Sequence, residues 1–134
     1  MATSLYDLSV ASYLQTVRAV VSILDRAARH FTEAGSDPDD LVRARLFGDM
    51  APFHFQIECV DGHSVWALEA VKSGVFAPPA LVGAVPFVDL QARMARTETA
   101  LKAFTPDEVN SWAGKDLDLR RRPKGARPTS STLR

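Results

Sequence analysis

The sequence has one cysteine, no long apolar run and no net charge. Cys59 stands alone among 134 residues, which excludes an intramolecular disulfide and suits a reducing compartment. No stretch of about 18 uninterrupted apolar residues is present, so we expect no membrane-spanning helix. The N-terminal sequence, MATSLYDLSV, lacks the basic start and apolar run of a signal peptide. We therefore expect a soluble, cytoplasmic protein, and its length fits one domain.

Motifs of nucleotide binding and of nucleophilic catalysis are also absent from the sequence. It contains no GxSxG, P-loop or GxGxxG pattern. The zinc-binding patterns HExxH and CxxC are absent too. His63 is the last of the three histidines, which excludes a catalytic histidine in the C-terminal half. These absences favour a protein that is not an enzyme, without excluding one.

The zero net charge conceals two parts of the chain with opposite charge. Residues 1–114 hold nine Lys or Arg against fourteen Asp or Glu, whereas residues 115–134 hold seven against two. The stretch RRRPKGAR could bind phosphate groups or act as a nuclear-import signal. Because no aromatic residue is interleaved there to stack on bases, we interpret it as a solvated tail and do not expect nucleic-acid binding.

Three segments have the apolar periodicity of long amphipathic helices. They are predicted over about residues 4–34, 52–73 and 87–104. Gly62 lies inside the second segment, where it marks either a close helix–helix approach or a bend. The apolar stripes are Val10, Leu14, Val17, Val21, Leu24, Ala28 and Phe31; Phe53, Ile57, Val60, Ala67 and Val71; and Phe87, Leu90, Met94, Thr97, Leu101 and Phe104.

The remaining segments complete the predicted architecture. Segment 75–86, VFAPPALVGAVP, has three prolines, and its apolar character predicts an irregular connection that lies across the helices. The sequence TPDE at 105–108 predicts a short helix that ends near Trp112. The residues after Trp112 lack apolar periodicity and are predicted to be disordered. The sequence thus predicts an all-α, up-and-down helical bundle over residues 1–112 and a disordered basic tail over 113–134.

Three segments resemble, in order and spacing, the family called domain of unknown function 1993: SLYDLSV, ARLFGDMAPFHFQIECVD and LQARMARTETAL. The resemblance covers roughly residues 4–112. That family is placed among the DinB/YfiT-like four-helix bundles, so the resemblance implies a DinB-like fold. Family members continue into a fourth helix, whereas this sequence continues into the basic tail. We therefore expect three long helices with the fourth absent.

The second predicted helix carries most of the residues that could form a site. In a regular helix His54, Glu58 and Asp61 share one face, and they are the candidates for a polar pocket. Cys59 and His63 share another face, half a turn away from His54, so the two histidines cannot bind one metal ion. We expect no metal site, with His54 and Cys59 in structural roles and Asp61 as a capping or salt-bridging carboxylate.

The leading functional hypothesis is a non-catalytic module that binds a small ligand or a protein. The resemblance supplies the alternative, a metal-dependent thiol transferase or hydrolase of the DinB/YfiT kind, because many DinB-like relatives bind a divalent metal through three histidines. A cofactor is expected only under that alternative. The absent fourth helix would leave an apolar groove uncovered, so we also expect a homodimer through that groove or a poorly soluble chain.

Overall fold

The structure, a computed structural model, describes residues 2–120, which form a mostly helical fold. The helices are α1 (Ser12–Glu33), α2 (Asp39–Val42), α3 (Phe53–Asp61), α4 (Ala67–Ser73), α5 (Phe87–Ala103) and α6 (Pro106–Asn110); the strands are β1 (Val75–Phe76) and β2 (Asp118–Leu119). A π-helical turn over Asp7–Ala11 precedes α1, and a second over Gly62–Trp66 joins α3 to α4. We call residues 53–73 the second long helix. The predicted all-α class with three long helices is confirmed.

Local capping signals set several of the helix ends. Ser4 Oγ accepts a hydrogen bond from the Asp7 N–H at 3.1 Å and donates one to the Asp7 carboxylate at 2.8 Å. Thr105 Oγ1 accepts from the Glu108 N–H at 3.2 Å and caps α6. Gly74, with φ of +81°, ends the second long helix in the left-handed conformation that glycine favours. These ends agree with the sequence prediction.

Gly62 begins the π-helical turn of the second long helix. A Cβ atom added to this glycine would meet nothing within 4 Å, so glycine is not required there for close helix packing. In this turn Ser64 Oγ donates a hydrogen bond to the carbonyl of Val60 at 2.6 Å. The open space at Gly62 counts against a close helix–helix approach, and the structure has a π-helical turn there.

Two buried clusters fill the space between the long helices. One contains Val10, Val17, Leu68, Leu101, Phe104, Val109 and Trp112. The other contains Leu24, Val42, Ile57, Phe87, Leu90 and Met94. The order of these residues along the chain shows that α5 runs parallel to the second long helix and antiparallel to α1. The sequence predicts an up-and-down bundle, in which each long helix runs opposite to the one before it. The structure departs from this pattern at α5, because the connection before α5 returns the chain to the end at which the second long helix begins.

That connection, residues 75–86, is here called the strap, and it runs back along the second long helix. The ring of Phe76 lies 4.8 Å from that of Trp66. The backbone N–H groups of Val82 and Gly83 donate to Glu58. After the strap ends, the Phe87 N–H donates to Asp39 Oδ1 at 2.7 Å. The apolar strap thus lies across the helices as predicted and covers one side of the second long helix.

The first residues of the predicted tail, 113–120, lie within the described part of the chain. β2 pairs in parallel with β1, with Val75 opposite Asp118 and Phe76 opposite Leu119. Two residues of the predicted tail, Asp118 and Leu119, thus form a short strand, and the disordered tail stays a prediction. The rest of the predicted tail, 121–134, lies outside the described residues. Within residues 2–120, no helix combines the length and apolarity that a membrane crossing needs.

Candidate functional site

The structure separates the three residues that the sequence analysis placed in one pocket. His54 and Glu58 lie together beneath the strap, where His54 Nδ1 is 3.5 Å from Glu58 Oε1. Asp61 instead faces α5 and accepts a hydrogen bond from Thr97. The helical face predicted to carry these three residues therefore contacts both the strap and α5, and the three side chains do not form one pocket.

Glu58 is a buried carboxylate with two backbone partners. Its side chain is only 7% exposed. Oε2 accepts from the Val82 N–H at 3.0 Å, and Oε1 accepts from the Gly83 N–H at 2.9 Å. Hydrogen bonds to an ionised acceptor are stronger than neutral ones, and they offset the cost of removing the carboxylate from water. Glu58 thus fixes the middle of the strap to the second long helix.

His54 completes this buried pair without an aligned hydrogen bond. Its Nδ1 atom is buried and has no hydrogen-bond partner among the described residues, although Glu58 Oε1 is 3.5 Å away. The contact is an ion pair only when the imidazole is protonated. The contact is therefore weak, because a hydrogen bond loses strength steeply when it is poorly aligned.

Asp61 belongs to a polar cluster between α3 and α5. Thr97 Oγ1 lies 2.9 Å from Asp61 Oδ1 and also 2.9 Å from the Arg93 carbonyl. One hydroxyl proton serves one acceptor at a time, and the charged carboxylate is the stronger of the two. Arg93 Nε is 3.8 Å from Asp61 Oδ2, which is too long for a hydrogen bond. Asp61 is thus held mainly by Thr97 and only loosely by Arg93.

Two adjoining cavities lie on either side of Arg93 and Arg96, and together we call them the arginine groove. The first, of about 290 Å³, is lined by Asp61, Val65, Arg93, Arg96, Thr97 and Ala100. The second, of about 220 Å³, is lined by Val82, Val85, Asp89, Leu90, Arg93 and Arg96. The groove therefore joins the second long helix, α5 and the strap, and it combines two guanidinium groups with apolar walls.

The two arginines differ in how firmly they are held. The Arg93 side chain is 24% exposed, and its one ion-pair contact within residues 2–120 is the 3.8 Å approach to Asp61. Arg96 is exposed and makes no ion pair or side-chain hydrogen bond with any residue in the described part of the chain. Guanidinium groups bind carboxylate and phosphate through paired N–H donors. Both arginines are thus available to an anionic ligand.

Three residues of the groove were not predicted from the sequence as site residues: Arg93, Arg96 and Thr97. A signal was present, because Thr97 is a polar residue inside an otherwise apolar stripe and is 3% exposed in the structure. Arg93 and Arg96 lie four and one positions before it, so helical spacing places Arg93 beside it on the same face. A polar residue in an apolar stripe, with arginines beside it, would have indicated this groove.

The other candidates of the sequence analysis lie apart from the arginine groove. Cys59 is a half-buried free thiol, and His63 is exposed on the π-helical turn. Within residues 2–120, no three His, Cys, Asp or Glu side chains lie close enough together to hold a metal ion. The metal-dependent alternative and the expected lack of a metal both stay predictions. The stretch RRRPKGAR falls almost wholly outside the described residues.

Comparison with known proteins identifies a family. A family described as "Domain of unknown function (DUF1993)" matches residues 5–133. This match continues past Trp112, where the resemblance of the quoted segments ends. No curated protein and no solved structure matches the chain. Because the match covers nearly the whole length, the chain belongs to the DUF1993 family.

Proposed function

We propose that this protein is a non-catalytic binding module whose arginine groove holds a small organic anion. The observation that carries the proposal is that Arg93 and Arg96 line both cavities while neither is tied to a close carboxylate among the described residues. An arginine without a firm partner at the wall of a concave site is suited to a carboxylate or phosphate ligand. The proposal also includes a cytoplasmic location for the protein and a relation of its bundle to DinB-like proteins.

The shape of the groove favours a ligand with an apolar body. Val65 lines one cavity, and Val82 and Val85 line the other. A ligand that places its anionic group between the guanidinium groups can rest an alkyl or aryl portion on these side chains. Because the groove is open to water and small, we expect a modest affinity, with Kd on the order of 10 µM to 1 mM.

Asp61 competes with the ligand for Arg93. The hydrogen bond from Thr97 holds the Asp61 carboxylate in place, and this leaves Arg93 Nε 3.8 Å away. A ligand carboxylate can approach the guanidinium group more closely than Asp61 does. The charge of Asp61 still repels an anion at short range, so replacing it with a neutral group should strengthen binding.

Hexanoate and phenyl phosphate are suitable probes, because each joins an anionic group to an apolar body. Titration of the full chain, followed by NMR of labelled protein, should show saturable shifts at residues of α5. Arg96→Gln should weaken binding about fivefold, which corresponds to ~1 kcal/mol, and Asp61→Asn should strengthen it. Arg26→Gln is the matched control, since Arg26 is exposed on α1, away from the groove.

Two results would contradict the proposal. One is a wild-type chain that binds neither probe at millimolar concentration. The other is an equal loss of affinity in the Arg96 and Arg26 variants, because that would assign the binding to overall charge and not to the groove.

A further inference from the structure

The strap supplies one wall of the arginine groove and is held to the bundle by a buried carboxylate. Val82 belongs both to the groove wall and to the contact with Glu58, because it lines the second cavity and its backbone N–H donates to Glu58. Val85, three residues further along the strap, lines the same cavity. The position of this wall therefore depends on a side chain that does not line either cavity.

Glu58 is a costly way to hold a connection. A carboxylate that is 7% exposed loses most of its hydration, and an apolar side chain could cover the same surface without that cost. The carboxylate adds a defined position for the backbone of the strap, because its two oxygens accept hydrogen bonds from two consecutive N–H groups at 2.9 and 3.0 Å. This fixes the strap in position along the second long helix as well as against it.

The ends of the strap have anchors of their own. β1 pairs with β2 at one end, and the Phe87 N–H donates to Asp39 just after the other. Loss of the Glu58 contact therefore leaves the strap attached at both ends and frees only its middle. Leu81 and Val82 are 66% and 62% exposed, so apolar burial does little to hold that middle part.

We propose that Glu58 is a positioning residue for ligand binding, which acts by holding Val82 in place as part of the groove wall. This inference rests on the proposed function of the groove. Fixing a wall before the ligand arrives removes an ordering cost from binding, so releasing that wall lowers affinity without removing any group that touches the ligand.

Glu58→Gln tests this inference because it preserves shape while removing the charge and one acceptor. Hydrogen exchange should accelerate at the amides of residues 82 and 83, and affinity for hexanoate or phenyl phosphate should fall about threefold or more. Amide exchange in α1 and α5 should not change. Glu69→Gln is the matched control, since Glu69 is an exposed carboxylate on the same long helix.

A second measurement uses the wild-type chain, so the test does not depend on how well the variant folds. Saturating probe should slow amide exchange at residues 82 and 83. It should not slow exchange at residues 118 and 120, whose N–H groups donate to the carbonyls of Gly74 and Phe76. Faster exchange in Glu58→Gln with unchanged affinity would overturn the positioning role and leave the proposed function standing. Probe binding that leaves exchange at residues 82 and 83 unchanged would overturn it as well. A wild-type chain that binds no probe would overturn both.

Discussion

Replacing Trp112 tests how far the fold depends on the residues after α5. The Trp112 side chain is 9% exposed, and its ring meets that of Phe104 edge-on at a centroid distance of 5.9 Å. A buried aromatic side chain removes roughly 150–250 Å² from water, which is worth about 4–6 kcal/mol at ~25 cal/mol per Å². Measured truncations of buried Phe or Trp to Ala cost about 3–5 kcal/mol. We therefore expect Trp112→Ala to lower the free energy of unfolding by ~4 kcal/mol.

Urea unfolding followed by far-ultraviolet circular dichroism measures this loss. With a slope of about 2 kcal/mol per molar urea, the midpoint should fall by about 2 M. Trp112→Phe is the matched variant, since a smaller ring keeps part of the contact with Phe104, and it should lose about 1–2 kcal/mol. Circular dichroism reports the helices directly and does not depend on the tryptophan that is removed.

Trp112 is part of the core and not a cap on a core that is already closed. A loss below about 1 kcal/mol for Trp112→Ala, at an unchanged urea slope, would refute it. Such a result would mean that the cluster formed by Val10, Leu101 and Val109 is complete without the indole ring.

Two further predictions concern glycine and charge. Gly74→Ala should destabilise the protein by about 1 kcal/mol, because Gly74 has φ of +81°. Gly62→Ala should be neutral or stabilising, because Gly62 has φ of −62° and open space for a Cβ atom. Equal effects of the two substitutions on the melting temperature would contradict this. The hydrogen bond from Lys102, and then that from Arg18, lowers the pKa of Glu98 from its ordinary value of 4.5. A carboxyl group whose pKa is lower in the folded chain than in the unfolded chain stabilises the fold at pH values above its unfolded pKa, and this stabilisation is lost as the pH falls through its folded pKa. Glu98→Gln should therefore lower the melting temperature slightly at pH 7 and not at pH 2. A larger decrease in melting temperature at pH 2 than at pH 7 would contradict this direction.

Helix ends were predictable from the sequence because the groups that set them are close in the chain. Ser4 bonds three residues ahead to Asp7, and Thr105 bonds three residues ahead to Glu108. The all-α class followed from apolar periodicity in the same way. Each of these signals can be read from a window of a few residues.

The direction of α5 and the roles of the site residues could not be predicted in that way. Glu58 bonds to residues 24 and 25 positions further along the chain, and Asp61 bonds 36 positions away. A helical wheel places both carboxylates on one face but cannot show that the strap receives one and α5 the other. The wheel also assumes 100° per residue, which does not hold once the π-helical turn begins at Gly62.

The pairing of β1 with β2 has a consequence for the order in which the chain folds. It joins residues 75 and 118, and closing a free loop of about 43 residues would cost roughly 3 kcal/mol or more. Besides the bonding within the two-stranded sheet itself, the Asp118 N–H donates to the Gly74 carbonyl and the Arg120 N–H donates to the Phe76 carbonyl, and each backbone hydrogen bond is worth about 1 kcal/mol. Strands of two residues return little more than that loop entropy costs, so we expect them to meet after α5 and α6 have docked and shortened the free segment. We therefore expect β2 to join the fold late and to be among the first elements to leave it.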